Sequence, residues 1–467
     1  MKEIKFDFNN LFSLNIGKLH GVTENDLKAV SRQALAAQAN LKKKLSTEAS
    51  RVKLSLEWAM LPFQSRKTID EISRLGQEIS AKYDDVLFLG IGGSYLGLKA
   101  AQDALLVPYY NDFKKLRNDR PRIYFEGNNL DPDTLNSLLK NLNPKKTFVV
   151  VISKSGETTE TKAAFEIVEL WLKKHVGNFY GRQIIAITDP ESGTLRKKVN
   201  LEHAKDGLSL RSLPLLKGVG GRFSEFNMGL LHLAIIGVDI KQVLSGATQM
   251  AKRCSKENIM QNPAYLYALL HYLLYRKKGK SIAILMPFSE SLKSTADWYV
   301  QLLAESLGKQ GLGRTPVSSR GTNDLHSIQQ NNIEGENNKV VTFIKLEKFK
   351  SDLAMPATSG ILSGRRYSQL ISLAQEATEW ALVRAQRPNC TVILPALTPY
   401  YWGTLLFFFE MATAFEGELL KVNAFDQPGV EGYKNYMYYK LNKPGIPQEV
   451  ISQIRNHPLK KDSKFIV

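Results

Sequence analysis

Five hydroxyl side chains, Ser153, Ser155, Thr158, Thr159 and Thr161, stand within nine residues of this chain, around Lys154 and Gly156. They follow the apolar run Phe148 to Ile152, which reads as a buried strand. The segment from Lys162 to Leu172 has helical spacing. A strand, a hydroxyl-rich turn and a helix N-terminus together form an anion site: backbone N–H groups and the positive end of the helix dipole face the turn, and the hydroxyls add donors. One hydroxyl would suffice to cap an ordinary crossover helix. The density favours a cradle for a phosphate.

Other segments carry reactive groups. Gly90-Ile91-Gly92-Gly93-Ser94-Tyr95-Leu96-Gly97 follows a strand pattern but fails the dinucleotide pattern at Tyr95 and the P-loop pattern at Leu98. It reads equally as a tight turn with close helix packing or as a close backbone approach to a ligand, with Ser94 offering a hydroxyl. In Gly218-Val219-Gly220-Gly221-Arg222, glycines flank an arginine suited to an anion or a developing oxyanion; an ordinary ion-paired surface Arg is the alternative. Gln301 and Glu305 are four apart on a helical pattern that Gly308 can end, so amide and carboxylate share one face. Such a carboxylate could be a positioned base, but a Glu on a solvated face is far commoner, and on this motif alone the solvated reading prevails. His326 lies in the turn-rich Gly321 to Ser327, where a histidine is commonly just exposed. Lys434 lies near a helix start, where its charge opposes the dipole.

The elements that must position these groups alternate. Residues 23–80 read as helical. Strands follow at 85–90, 122–125, 147–152 and 184–188, and again at 281–287, 340–344 and 391–394, with helix-like segments between. That order implies parallel, doubly wound sheets in an α/β chain. The expected layout is an N-terminal helical segment (1–60), two α/β domains (61–241 and 242–420) and a C-terminal segment with a helical arm (421–467).

The chain has 467 residues, 63 basic and 45 acidic, for a formal net charge of +18. The basic residues are scattered and lack interleaved aromatics, so an anionic small substrate is favoured over nucleic acid, which rests on net charge alone. Two cysteines, Cys254 and Cys390, have no metal-type spacing and suit a reducing compartment. The N-terminus lacks a signal-peptide core. The most apolar run, Tyr400 to Phe409, is ended by Glu410, is too short to span a bilayer, and reads as a buried helix. A cytoplasmic protein is expected.

Together and in order, the GIGGS turn, the SKS-x-x-T loop, GGRFS, the Glu before Gly-Lys, GTN-x-x-HS and FDQ-x-GVE-x-x-K resemble the glucose-6-phosphate isomerase family, over roughly residues 55–445. The resemblance implies two sugar-isomerase domains, each a mainly parallel doubly wound sheet flanked by helices. It implies an aldose–ketose isomerase of glucose 6-phosphate and fructose 6-phosphate that needs no metal or other cofactor. Gly93, Ser94, Ser153, Lys154, Ser155, Thr158, Gln301 and Gln427 would bind substrate. Glu305 would be the isomerisation base, Arg222 the support of the enediolate, and His326 and Lys434 the ring-opening pair. A homodimer is implied, with His326 contributed across the interface, and neither a nucleic-acid nor a membrane partner.

The chain departs from the family pattern around the arginine. Glu225, Phe226 and Asn227 stand where small or apolar residues are usual, and Lys217 where an acidic or small one is. These changes bear on substrate range and rate more than on reaction class. Two rivals stay open: an isomerase that also accepts mannose 6-phosphate, and a non-catalytic sugar-phosphate-binding regulator. The presence of Glu305, His326 and Lys434 argues against the second.

Overall fold

Apolar, β-branched runs build the sheets, as their composition requires. A computed structural model describes residues 2–467. Its strands are β1 (Lys5–Asp7), β2 (Asp85–Leu89), β3 (Arg122–Glu126), β4 (Thr147–Ile152), β5 (Ile184–Thr188), β6 (Arg211–Pro214), β7 (Ile282–Pro287), β8 (Thr315–Ser318), β9 (Lys339–Lys348) and β10 (Asn389–Ala396). The first sheet runs β3-β2-β4-β5-β6 and the second β1-β10-β9-β7-β8. Every pairing is parallel except β1 with β10. Central strands β2, β4 and β5 are buried throughout, as expected where helices cover both faces of a parallel sheet.

In the first sheet the chain passes from β2 outward to β3, then returns across β2 to β4 and continues to β6. The reversal leaves a crevice at the C-terminal ends of β2 and β4, which pair directly (Leu87 opposite Val149). Open α/β sheets bind ligands at such a switch point. The Gly90–Gly97 loop and the Ser153–Thr159 loop flank it.

Three strands escape the sequence pattern. β1, β6 and β8 are three or four residues long, too short for a period to register. The N-terminal segment is therefore not purely helical: β1 extends the second sheet, and Phe6 packs against Tyr267 at 5.4 Å between ring centroids. Helix Glu24–Leu45 follows, opened by a Thr23/Asp26 capping box. The apolar run at 400–409 belongs to the buried helix Pro399–Leu420, which does not stop at Glu410; that carboxyl is fully buried within it. Among the described residues no helix is long and apolar enough to cross a membrane.

Residues up to Ala424 form one unit that contains both sheets, and Phe425–Val467 a second. The second holds helices Glu431–Lys440 and Gln448–Asn456, with no fully buried residue in either.

Candidate active site

Arg222 lies on the short turn Gly221–Phe223 that follows β6. Its aromatic neighbour Phe223 stacks on Trp58 with centroids 4.8 Å apart, which anchors the turn in the core. The guanidinium is 2% exposed. Nε donates to Ser306 Oγ (2.8 Å) and Nη2 to the Ala424 carbonyl (2.7 Å). Nη1 reaches Glu305 Oε2 at 3.2 Å. A planar fork spread over three partners is fixed in direction as well as in place.

Glu305 is carried by helix Lys293–Leu307, which Gly308 ends. Gln301, one turn earlier, donates through Nε2 to the same Oε2 at 3.3 Å. No hydrogen bond among the described residues engages Glu305 Oε1. Gln301 Oε1 is buried without a partner. Lys309 donates to the carbonyls of Glu305 and Ser306 (2.6 and 2.8 Å), closing the helix end beneath the carboxylate.

The glycine loop meets this cluster. Gly93 lies so close to the arginine turn that a methyl group on it would stand 2.0 Å from Gly221 O. A methyl on Gly92 would stand 2.9 Å from Gln301 Nε2. The loop is a tight turn packed closely on the arginine turn and on Gln301. Ser94 is half-buried on the Gly92–Ser94 turn. Three segments far apart in sequence thus converge: Gly93–Ser94, Arg222, and Gln301 with Glu305.

The hydroxyl loop leaves β4 and enters helix Thr159–Val176, with Thr158 at the N-cap. Ser153 is buried and accepts from Gly156 N (3.1 Å), while Ser155 accepts from Glu157 N (3.1 Å). Both bonds fold the loop back on itself. Lys154 and Ser155 are exposed. The Thr158 hydroxyl does not cap its own helix, so the helix N-terminus keeps open N–H groups beside an uncommitted hydroxyl. That is the arrangement a phosphate dianion requires.

Two expected residues belong to the second unit. Gln427 is exposed at the start of the Pro428–Val430 turn. Lys434 pairs with Glu431 at 2.9 Å. Burial works against its charge, but the Glu431 carboxylate prevails and raises its pKa. His326 ends the Asn323–His326 turn, exposed. Asp324 shapes that turn by accepting from Arg320 N (2.8 Å) and Ser319 Oγ (3.1 Å). Among the described residues His326 makes no hydrogen bond to Arg222, Gln301 or Glu305.

Of the departures around the arginine, only one turns inward to the site's supports. Lys217 pairs at the surface with Glu191 (2.7 Å), and Asn227 accepts from Leu216 N (3.3 Å). Phe226 fills the core. Glu225 is buried beneath the arginine turn. Ser306, which holds Arg222, gave no sequence signal beyond its place next to Glu305. A cavity of about 640 Å³, lined by Leu35, Phe63, Cys254, Tyr265 and Phe407 among others, includes none of the motif residues.

A sequence model described as phosphoglucose isomerase matches residues 26–324 and 347–445. A glucose-6-phosphate isomerase of Carboxydothermus hydrogenoformans is 38% identical over 99% of each chain. That of Rubrobacter xylanophilus is 33% identical over 95% of this chain and 99% of its own. Among solved structures, a hypothetical protein of Thermus thermophilus superposes with a TM-score of 0.81 at 31% identity, over 94% of this chain and 100% of its own. A glucose-6-phosphate isomerase of Chlamydia trachomatis shares the fold with a TM-score of 0.77 at 22% identity, over 94% of this chain and 90% of its own.

Proposed function

The chain belongs to the phosphoglucose isomerase family, and from that premise we propose that it interconverts D-glucose 6-phosphate and D-fructose 6-phosphate through ring opening and a cis-enediolate, with Glu305 as the base. The observation that carries the assignment is the division of labour on that carboxylate. Arg222 and Gln301 both hold Oε2, so Oε1 is oriented and left to accept a proton.

The chemistry runs through named atoms. In the open-chain aldose, Glu305 Oε1 takes the proton from C2 and returns it to C1 on the same face, while the proton of the C2 hydroxyl passes to the C1 oxygen, so one base suffices. As C2 loses its proton, negative charge builds on the C1 oxygen. The Arg222 guanidinium, already fixed and nearly out of water, needs no reorganisation to meet it. Gln301, whose Nε2 holds the carboxylate, is the amide assigned to the substrate beside that base. Ser153, Lys154, Ser155 and Thr158 bind the 6-phosphate, remote from the reacting carbons, and supply orientation. Gly93 and Ser94 close the crevice between the two sites, and Gln427 contributes an amide.

Ring opening precedes isomerisation. It needs a proton delivered to the ring oxygen and one removed from the anomeric hydroxyl, a task suited to His326 and Lys434. The family resemblance assigns His326 to a neighbouring subunit's site within a homodimer, and its exposed position is compatible with that. Two buried free cysteines support a reducing, cytoplasmic setting. The sole substrate class proposed is the sugar phosphate; no nucleic acid or membrane partner is assigned.

The test is conversion of fructose 6-phosphate to glucose 6-phosphate, read through a coupled dehydrogenase, for the wild type beside Glu305→Gln. Turnover that falls by roughly 10²–10⁴, the usual worth of a general base, supports the assignment. A folded wild type that binds the sugar phosphate without turning it over would leave the regulator reading in its place.

A further inference from the structure

Beneath the arginine turn two glutamates share the core. Glu225 is 2% exposed and Glu410 not exposed at all. Glu225 comes three residues after Arg222, and Glu410 is on helix Pro399–Leu420. The two carboxyl groups act directly on each other. Yet Glu225 Oε2 and both Glu410 oxygens make no hydrogen bond to a donor among the described residues, although the nearby backbone N–H groups of Ser224 and Glu225 favour the Glu225 carboxylate. Two carboxylates facing each other out of water repel, and neither offers a hydrogen. One proton between them turns a repulsion into a charge-assisted hydrogen bond. Burial pushes both groups in that direction, Glu225 up to about 7 and Glu410 well above the carboxylate range.

Glu225 is also the meeting point of the elements that build the site. Its Oε1 accepts from Trp298 Nε1 at 2.8 Å. Trp298 is fully buried on the helix that carries Gln301 one turn later and Glu305 two turns later. On another side, a methyl on Gly97 would stand 2.3 Å from Glu225 Cγ. Gly97 lies in the first turn of helix Leu96–Leu105, directly after the Gly93–Ser94 loop. One carboxyl therefore touches the helix of the base and the helix behind the glycine loop, from its own place on the arginine turn.

We propose that Glu225 and Glu410 share a proton and act as a positioning pair, holding Arg222 in register with Gln301 and Glu305; this rests on the isomerase reading above. Neither residue touches the reacting atoms. Their effect passes through the Trp298 indole and the arginine turn.

The experiment compares kcat and KM for fructose 6-phosphate in the wild type, Glu225→Leu, Glu225→Gln and Trp298→Phe, with folding checked by circular dichroism. Glu225→Leu is expected to lower kcat roughly tenfold or more while KM stays within about twofold, because misplaced groups cost rate more than affinity. Glu225→Gln keeps an acceptor for the indole and gives Glu410 a donor, so it restores most of kcat. Trp298→Phe reproduces the loss. Glu225→Leu at wild-type kcat, a loss in KM alone, or a Gln variant as impaired as the Leu one would each overturn the role. Should the Leu variant not fold, Trp298→Phe decides: reduced kcat supports the pair and unchanged kcat overturns it. A folded wild type without turnover would overturn the isomerase reading, and this role with it. For the proton itself, the infrared carboxylic-acid C=O band at neutral pH should disappear in Glu410→Gln; a spectrum identical to the wild type would refute the sharing.

Discussion

Gly93 and Gly221 press backbone against backbone: a methyl group on Gly93 would stand 2.0 Å from the Gly221 carbonyl oxygen. The glycine loop after β2 and the arginine turn after β6 are thus one surface. Gly93→Ala must push the turn away, and Arg222 with it. Displacement of about 1 Å at a reacting centre costs on the order of 10²-fold in rate. We expect a loss of that size in kcat/KM for Gly93→Ala. Gly220→Ala is the control, since nothing lies within 4 Å of its methyl. Equal activity in the two variants would sink the argument.

Arg222→Lys tests the fork itself. The guanidinium bonds Ser306 Oγ, Ala424 O and Glu305 Oε2 at once. A lysine keeps the charge but has one nitrogen, and cannot serve all three directions. Loss of a fixed donor at a developing oxyanion costs about 10²–10³ in kcat. That fall is expected in steady-state assays, and a lysine variant within a few-fold of wild type would show that charge alone matters.

The arrangement of the candidate site was legible where residue type and spacing are themselves the signal. The hydroxyl loop follows a run of β-branched residues, and Gln301 and Glu305 share a face by helical period. What pattern could not supply was long-range contact. Ser306 acts on Arg222 from eighty-four positions away. Glu410 sits where an acidic residue reads as the end of an apolar run, yet the helix continues past it to Leu420, because the partner that tolerates it, Glu225, comes from another part of the chain. The strands β1, β6 and β8 were invisible for a simpler reason: three or four residues do not make a period.

The Thr158 hydroxyl is spare, and its proposed task is the phosphate. A hydrogen bond to a charged group contributes about 1.5–3 kcal/mol. Thr158→Val should therefore weaken fructose 6-phosphate binding by about tenfold or more, measured by calorimetry. Its kcat at saturation should change much less, because the phosphate is remote from C1 and C2. A normal binding constant would remove Thr158 from the site.

His326 gives a sharp test of subunit sharing. In the proposed homodimer, Glu305→Gln and His326→Ala should each be nearly inactive. If His326 acts across the interface, a mixed dimer holds one site with an intact base and an intact histidine. Co-refolding the two variants should then restore turnover that neither has alone. Histidine acting within its own chain would leave the mixture dead.

The buried acid pair leaves a signature on stability as well. An ordinary glutamate value of 4.5 is raised to about 7 at Glu225, first by burial. The group facing it is Glu410, on helix Pro399–Leu420, whose value is also raised, by burial first and then by Glu225. Between the unfolded and the folded values the native protein holds a proton that the unfolded chain has released. Stability from this source is complete below about 4.5 and declines as pH rises toward 7, and Glu410, raised in the same direction, adds a decline of the same sign. The slope is about 1.4 kcal/mol per pH unit for each proton. Replacing both residues, Glu225→Gln with Glu410→Gln, removes the protons and hence the slope. Urea unfolding at about pH 5 and about pH 7 should show the wild type losing more stability than the double variant over this interval. A gap between the two proteins that stays constant with pH would mean that the pair is ionised in the folded state as it is in the unfolded one.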